Sequence, residues 1–293
     1  MDPSSAIVRL TGLAILCIAA AGCAGGGFDV LMDQQQASQA GVRLDGPIAL
    51  DEKGCVHFLS KNNVWRFDRA KGSIEQETQK VAKPLVDLAI GDDGIVLVLD
   101  EGQVYALAAG SLVPVATIPG RAYKLAVARE CLYVATRRDG RYQVLRYRLG
   151  PRRLEPVLRS DSAITALCPL PDGLLVGVGE SIFKVSLPHR CDQPSAAEVQ
   201  TTLICAIFGA QIQSIAADSQ RRIFYFSDGA ATFFWTGGAV RELLPAGGTL
   251  ATRGDRLAIC SPAQGQLSQL PQASKTVLRI TQDSTDPGKP NNP

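Results

Sequence analysis

The sequence is poor in the residues and motifs that mark most enzyme sites. Its 293 residues include two histidines, His57 and His189, and only 6% aromatic residues. It contains no CxxC pair, no GxSxG, no HExxH and no GxGxxG that opens a helix. These absences remove the sequence signals for a zinc knuckle, a serine hydrolase elbow, a zincin site and a dinucleotide fold. We therefore predict no cofactor and no metal site, and we favour a binding protein over an enzyme.

Charge is nearly balanced, with 30 Lys and Arg against 28 Asp and Glu and a formal net charge of +2. This balance gives no general attraction to nucleic acid. The hydrophobic content of 46% over 293 residues is enough to bury one large core. We therefore expect a single folded domain.

A unit of about forty residues recurs after position 47. Each unit reads as an apolar strand, a Gly or Asp turn, a second apolar strand, a short turn and a third strand. The second strands begin 34 to 49 residues apart, near Val56, Ile95, Leu132, Leu174, Ile223 and Leu257. This period of short strands predicts an all-β fold, a β-propeller of six four-stranded blades. A two-sheet sandwich with coincidental spacing is the alternative.

The repeat limits predict the domain organisation. We expect a signal peptide, a flexible tether, the propeller and a disordered tail at residues 1–22, 23–40, 41–280 and 281–293. The sixth unit lacks a clear outer strand. Either Thr276–Ile280 or the segment before Pro47 supplies it. The second choice would pair the two ends of the chain in one blade and remove the open sheet edges.

The turns IALDEKGCVHFL and LAIGDDGIVLVL are each followed by a strand such as NNVWRFD or GQVYAL. They resemble the turns of NHL and TolB-like six-bladed propellers, over most of the chain after the leader. The resemblance implies the fold and says little about activity. Some related propellers are lactonases or lyases with a metal in the central channel. The histidine-rich pattern of the lyases is missing here.

The N-terminal segment reads as an export signal. One basic residue, Arg9, precedes an apolar run, Leu10–Ala21, that has the length of a signal peptide rather than of a membrane span. The run ends in Ala-Ala-Gly-Cys23, which resembles the bacterial lipobox. The resemblance implies a lipid on Cys23 and a place in the bacterial cell envelope, at the outer membrane and facing the periplasm if the cell is Gram-negative. An ordinary secretory signal and a buried N-terminal helix are the alternatives.

Arginines concentrate between positions 137 and 159 and predict a basic patch for an anionic partner. Arg146 and Arg148 lie two residues apart and so share one face of a strand. The alternative is a solvated outer blade edge protected by its charges. The candidate binding residues in this patch and in the loop of the fourth unit are Arg137, Arg138, Arg141, Arg146, Arg148, His189 and Arg190.

Six cysteines remain when Cys17 of the leader and Cys23 are set aside, and an exported chain can form disulfides from them. Cys191 and Cys205 flank the long loop of the fourth unit and are the candidate pair. The cysteines in second strands are expected to be buried free thiols. These are Cys55, Cys131 and Cys260.

His57 lies in an apolar strand and is expected to be a packed core residue. A metal site made of carboxylates alone would draw on six aspartates at turn positions. Turn chemistry explains these residues without a function, because Asp caps such turns through its own backbone. They are Asp51, Asp92, Asp93, Asp172, Asp218 and Asp228.

The functional prediction is a lipid-anchored envelope propeller that acts as a protein-binding or assembly scaffold, held to the membrane through Cys23 and bound to an envelope protein. The alternative is a metal-dependent hydrolase of the lactonase-like propeller type. A purely structural lipoprotein is a third hypothesis.

The lipid anchor gives the first testable prediction. Replacing Cys23 with Ser removes the thiol that the lipid would modify, and stable membrane attachment depends on the acyl chains. We expect Cys23→Ser to move the protein from the membrane fraction to the soluble fraction on ultracentrifugation and immunoblotting. Persistence of the variant in membranes would contradict the anchor.

Overall fold

Short antiparallel strands make up nearly all of the regular structure. The structure is a computed structural model that describes residues 28–79, 81–128, 130–187, 199–218, 222–273 and 275–277. In these residues the strands are β1 (Asp29–Met32), β2 (Ile48–Leu50), β3 (Val56–Ser60), β4 (Asn63–Asp68), β5 (Ser73–Gln76), β6 (Asp87–Ile90), β7 (Val96–Leu99), β8 (Gln103–Ala108), β9 (Ser111–Thr117), β10 (Arg121–Ala128), β11 (Cys131–Arg138), β12 (Arg141–Arg148), β13 (Arg153–Ser160), β14 (Ile164–Leu170), β15 (Gly173–Val178), β16 (Ser181–Ser186), β17 (Thr201–Ala206), β18 (Ser214–Asp218), β19 (Ile223–Ser227), β20 (Thr232–Trp235), β21 (Val240–Leu244), β22 (Thr249–Arg253), β23 (Arg256–Ser261) and β24 (Gln266–Pro271). One short helix, α1, spans Gln34–Gln39.

The strands form six four-stranded sheets, which are the blades of a β-propeller. Blades I to V each use four consecutive strands, from β2–β5 through β18–β21, and blade VI has the order β22-β23-β24-β1. The first strands of the blades contact one another in a closed ring, β2-β6-β10-β14-β18-β22-β2. They are therefore the inner strands around a central channel. The six-bladed propeller predicted from the repeat is confirmed.

The core lies between the blades. Six clusters of buried apolar side chains fill the six interfaces between neighbouring blades. Second strands such as β3 and β19 are buried at every position, since both of their faces pack against a neighbouring blade. This burial explains why the second strands are continuous apolar runs rather than alternating ones.

The N-terminal segment closes the ring. β1 pairs antiparallel with β24 and supplies the outer strand of blade VI. Arg69 of blade I reaches across to this strand, where it pairs with Asp29, and it donates a hydrogen bond to Gln269 Oε1 at 3.0 Å. The segment before Pro47 is thus the donor. Residues 275–277 are helical instead.

The flexible tether predicted for residues 23–40 is corrected by this closure. The strand β1 and the helix α1 both lie in that range. α1 begins with a reciprocal capping box, in which the Asp33 side chain accepts from the Gln36 backbone N–H at 2.8 Å and the Asp33 N–H donates to Gln36 Oε1 at 3.0 Å. Pattern reading missed both elements because each is too short to show a period. The signal peptide and the tail from residue 281 lie outside the described residues.

Polar side chains join neighbouring inner strands near their first residues. Asp87 at the start of β6 accepts a hydrogen bond from the backbone N–H of Leu125 in β10, at 2.7 Å. Ser214 at the start of β18 accepts one from Leu250 of β22, at 2.9 Å. The two bonds occupy equivalent positions in different blade pairs, and they satisfy backbone groups on the channel side that have no sheet partner.

Removing the Met32 side chain tests the ring closure. Met32 is 0% exposed and packs in the interface between blades VI and I, whereas Val30 on the same strand is 52% exposed. We expect Met32→Ala to lower the free energy of unfolding by about 2–5 kcal/mol, because it leaves a cavity in a closed interface. Val30→Ala should change it by less than about 0.5 kcal/mol. Urea denaturation of both variants checks this, and equal effects would show that β1 is not held in the ring.

Candidate functional site

The channel opens into a cavity of about 1000 Å³ at the end where the inner strands begin. Every blade contributes to its wall, through the first residues of an inner strand, the residues just before it or the loop after a second strand. This volume lies at the upper end of the range for pockets that bind small molecules. The polar lining residues are Asp45, Glu101, Arg121, Tyr123, Lys124, Arg137, Tyr142, Thr165, Gln211, Gln213, Asp228 and Thr249.

Blade III supplies a cationic and aromatic wall. Arg121, Tyr123 and Lys124 come from β10, Arg137 comes from β11, and Tyr142 comes from β12. The pairing of β10 with β11 skips Tyr123, since Ala122 faces Thr136 and Lys124 faces Ala135. Such a bulge redirects one side chain out of the sheet alternation. It places Tyr123 on the cavity wall, next to the fully buried Ala122.

The three side chains at the centre of this wall contact one another. The Arg137 guanidinium lies 5.5 Å from the centre of the Tyr142 ring, within cation–π range. The Tyr142 and Tyr123 rings meet edge to face with their centres 6.4 Å apart. Burial raises the pKa of Tyr123 to about 12 and outweighs the opposing effect of the Ile164 backbone N–H, so the hydroxyl keeps its proton at neutral pH. We call Arg137, Tyr142 and Tyr123 the blade III cluster.

Two polar groups in this cluster are not satisfied by the protein. The Tyr123 hydroxyl is buried and has no partner at hydrogen-bond geometry among the residues that the structure describes. Arg137 makes no ion pair with a described residue, whereas Arg121 and Arg138 each make one. Arg121 pairs with Glu101 at 2.7 Å at the cavity rim, and Arg138 pairs with Asp139 at 3.4 Å outside the cavity.

The wall that blade V contributes, two blades along the ring from blade III, is polar without cations. Gln213 lies against Gly229, where a Cβ atom would come within 2.6 Å of Gln213 Nε2. Asp228 holds the adjoining turn through its Oδ1 atom, which accepts hydrogen bonds from the Ala230 and Ala231 N–H groups at 2.9 and 2.8 Å. The Asp228 carboxylate is thereby fixed in orientation at the cavity wall.

The turn aspartates do not assemble into a metal site. Among the described residues, no group of three or more His, Cys, Asp and Glu side chains is arranged to hold a metal ion. Asp51 and Asp93 instead cap their own turns, by accepting from the Cys55 N–H at 2.8 Å and the Ile95 N–H at 3.0 Å. Of the six aspartates proposed from the sequence, Asp228 is the one that lines the channel-mouth cavity.

The opposite end of the channel holds a second cavity, of about 480 Å³. Arg253 of blade VI lies there and pairs with Glu52 of blade I at 3.0 Å and with Asp92 of blade II at 3.4 Å. This ion pair network joins three blades and is separate from the channel-mouth site.

The predicted basic patch is corrected by the structure. Arg146 and Arg148 do share a strand face, but that face packs against blade IV, and both side chains are buried. Glu155 on β13 accepts hydrogen bonds from Arg146 Nε at 2.6 Å and from Arg148 Nη2 at 3.0 Å. Arg137, Arg138 and Arg141 are exposed at the β11–β12 hairpin. The hairpin and the buried pair are therefore two separate features.

The cysteine predictions are partly corrected. Cys205 carries a free thiol, so the structure does not contain the predicted Cys191–Cys205 disulfide, and Cys191 itself lies outside the described residues. Cys131 is disulfide-bonded rather than free. Cys55 and Cys260 are buried free thiols, as expected. The sequence does not indicate which cysteine forms the disulfide with Cys131, because the spacing of the strands does not show which segments approach one another.

His57 is buried, as its apolar strand predicts, but it is not packed among apolar groups alone. Its Nδ1 atom lies 2.7 Å from Glu77 Oε2 and its Nε2 atom lies 3.5 Å from Asp51 Oδ2. This group lies in blade I, away from the channel-mouth cavity. His189 and Arg190 lie outside the described residues.

The fold is similar to that of several solved propellers. A gluconolactonase from Xanthomonas campestris matches with a TM-score of 0.67 at 14% identity, over 86% of this chain and 91% of that one. A calcium-binding protein, regucalcin, from Agrobacterium tumefaciens matches with a TM-score of 0.64 at 15% identity, over 84% and 93%. A virginiamycin B lyase from Staphylococcus aureus gives 0.57 at 11% identity, over 84% and 99%. No protein-family model and no curated protein matches the chain.

These comparisons show the six-bladed fold and correct the predicted scaffold function. The similar propellers include a gluconolactonase and a lyase, which are enzymes, and this chain has a cavity of small-molecule size where its inner strands begin. No helix in the described part of the chain is long and apolar enough to cross a membrane.

Glu155 gives a test of the buried arginine pair. Burial raises the pKa of its carboxyl, but the hydrogen bonds from Arg148 and Arg146 outweigh this and hold the pKa below the ordinary value of 4.5. We expect Glu155→Gln to cost about 3–5 kcal/mol of unfolding free energy at neutral pH, because it removes the carboxylate that both buried guanidinium groups contact. Denaturant titration measures this loss.

The pH dependence follows from the same shift. A carboxyl whose pKa is lower in the folded than in the unfolded protein stabilises the fold at pH values above the unfolded-state pKa. This contribution to the free energy of unfolding is lost as the pH falls through the folded-state pKa, so the wild type should become less stable below about pH 4.5. Glu155→Gln should lack that part of the acid dependence. Asp139→Asn removes an exposed carboxylate of the same blade and should cost less than about 1 kcal/mol. Equal losses in the two variants would contradict the buried pairing.

Proposed function

We propose that the protein is a small-molecule hydrolase of the lactonase-like propeller type, with its site in the channel-mouth cavity. The observation that carries this proposal is the cavity of about 1000 Å³, to which blade III contributes cations and blade V contributes a fixed carboxylate. We also propose that the repeats are of the NHL or TolB-like type.

The two walls match the needs of lactone or ester hydrolysis. Water attacks the carbonyl carbon, and negative charge develops on the carbonyl oxygen before the C–O bond breaks. Cations aimed at that oxygen stabilise the transition state. Lys124 lies on the wall that can do so. A positioned carboxylate can take the proton from the attacking water and return it to the leaving alkoxide. Asp228 is the carboxylate whose orientation the turn fixes.

The described residues do not fit a metal in this cavity. The fold resemblance implies a channel metal in some relatives, and hard cations such as Ca²⁺ need six to eight oxygen ligands. The carboxylates of the channel-mouth cavity form no metal-binding group among the described residues. The proposed hydrolysis is therefore assigned to the protein's own acids and cations.

The place of the protein in the cell stays a proposal that rests on the leader. With a lipid on Cys23, the first propeller strand begins six positions later, at Asp29, and an extended chain of that length spans at most about 20 Å. The propeller would then sit directly at the bilayer surface of the cell envelope. The envelope protein partner was expected for the scaffold function and stays an untested prediction.

A variant of Asp228 tests the hydrolase. Asp228→Asn keeps the Oδ1 acceptor that holds the turn and removes the carboxylate charge. We expect it to lower kcat for the best substrate in a panel of lactones and esters by about a hundredfold or more, since general bases contribute at least that factor. A pH-indicator assay follows the acid that hydrolysis releases.

The control is Glu52→Gln, which removes a carboxylate at the opposite end of the channel and should leave kcat unchanged. EDTA treatment should also leave the activity unchanged. Hydrolysis of no substrate in the panel, or wild-type activity in Asp228→Asn, would contradict the proposal.

A further inference from the structure

The size of the cavity limits what the ligand can be. Pockets that bind drug-sized molecules measure about 300–1000 Å³, and this cavity reaches the top of that range. A ligand of one small ring would fill only a part of it and would leave most of its own surface in water. The cavity therefore suits a ligand long enough to touch blades III and V together.

The charge distribution selects an anionic group at the blade III end. Arg121 is neutralised by Glu101, but Arg137 has no carboxylate partner among the described residues. Its guanidinium is held over the Tyr142 ring, 5.5 Å from the ring centre. Stacking of this kind leaves the N–H edge of the guanidinium free to bind a carboxylate with two parallel hydrogen bonds.

The buried hydroxyl of Tyr123 adds a second donor at the same place. The Ile164 N–H lies on the acceptor side of this oxygen outside hydrogen-bond geometry, and the O–H has no acceptor among the described residues, which costs free energy unless a ligand or water accepts from it. Tyr123 is positioned by the bulge between Ala122 and Lys124, and its ring meets Tyr142 edge to face. The hydroxyl stays protonated at neutral pH and can donate to an anion.

The two tyrosine rings favour a flat ligand. Aromatic rings pack on one another with a gain of about 0.5–1.5 kcal/mol beyond the area that they bury. A ligand made only of saturated, hydroxylated carbons would gain less from this wall than a planar ring would.

We propose that the channel-mouth cavity binds an anionic ligand with a planar ring, whose carboxylate is held by Arg137 and the Tyr123 hydroxyl, whose ring packs on Tyr142, and whose far end reaches Gln213. This inference rests on the proposed function for the location of the site, and it names the substrate class as aromatic lactones or esters that carry a carboxylate. It concerns binding, so it can be tested without turnover.

Three probes separate the parts of the proposal. Coumarin-3-carboxylate is an aromatic lactone with a carboxylate, coumarin lacks the anion, and D-gluconate has a carboxylate but no ring. We expect the full-length protein to bind coumarin-3-carboxylate at least about tenfold more tightly than either of the others, measured by isothermal titration calorimetry. Equal affinity for coumarin would overturn the anion site, and equal affinity for gluconate would overturn the aromatic wall. Failure of all three to bind would overturn the whole proposal.

Matched variants locate the site. Arg137→Gln should weaken binding of coumarin-3-carboxylate by about tenfold or more, and Tyr123→Phe should weaken it about threefold to tenfold. Arg138→Gln is the control, because it removes the same charge at the next residue, outside the cavity. Thermal melting of each variant shows whether it is folded. Equal weakening by Arg137→Gln and Arg138→Gln would indicate general charge attraction and overturn the assignment.

The two proposals can fail separately. Binding that depends on Arg137, without hydrolysis of any lactone or ester, would support this inference and contradict the hydrolase. Hydrolysis that depends on Asp228, with probe binding that ignores Arg137 and Tyr123, would support the hydrolase and contradict this inference.

Discussion

The pairing of β1 with β24 is the constraint on which the rest of the structure depends. A ring of blades has no free sheet edge inside it, and each blade buries its two faces against its neighbours. Blade VI obtains its outer strand from the opposite end of the chain, with Met32 buried between blades VI and I. Arg69 of blade I then reaches β1 and β24 together. The six interfaces and the channel are therefore held by a contact between residues more than two hundred positions apart.

The closed ring also creates the candidate site. The inner strands all begin at one end of the channel, so residues that are far apart in the sequence line one cavity there. Hydrogen bonds between inner strands, such as that from Leu125 to Asp87, fix the spacing between neighbouring blades. The bulge in β10 then adds Tyr123 to the wall. The site thus depends on small departures from regular pairing in a rigid scaffold, which is where propeller proteins differ from one another.

The arginines between positions 137 and 159 have three different roles, because their side chains lie on different faces of the blade. Arg146 is buried against blade IV with Glu155, Arg138 pairs with Asp139 in solvent, and Arg137 faces the cavity. Alternation along a strand predicts that Arg146 and Arg148 share a face. It does not predict whether that face is exposed, because every blade of the closed ring is covered on both faces by its neighbours. The predicted basic patch joined residues that the fold separates.

The sequence by itself determined the number of blades, the order of strands within the first five and the role of turn aspartates such as Asp51 and Asp93. These features depend on local periodicity and on hydrogen bonds between residues a few positions apart. Only the tertiary structure decided that β1 closes the ring, that Cys205 stays free and that Arg137, Tyr142 and Tyr123 meet at one wall. Those outcomes depend on which strands and side chains meet in three dimensions, and the spacing along the chain does not encode the distance between two side chains on different strands.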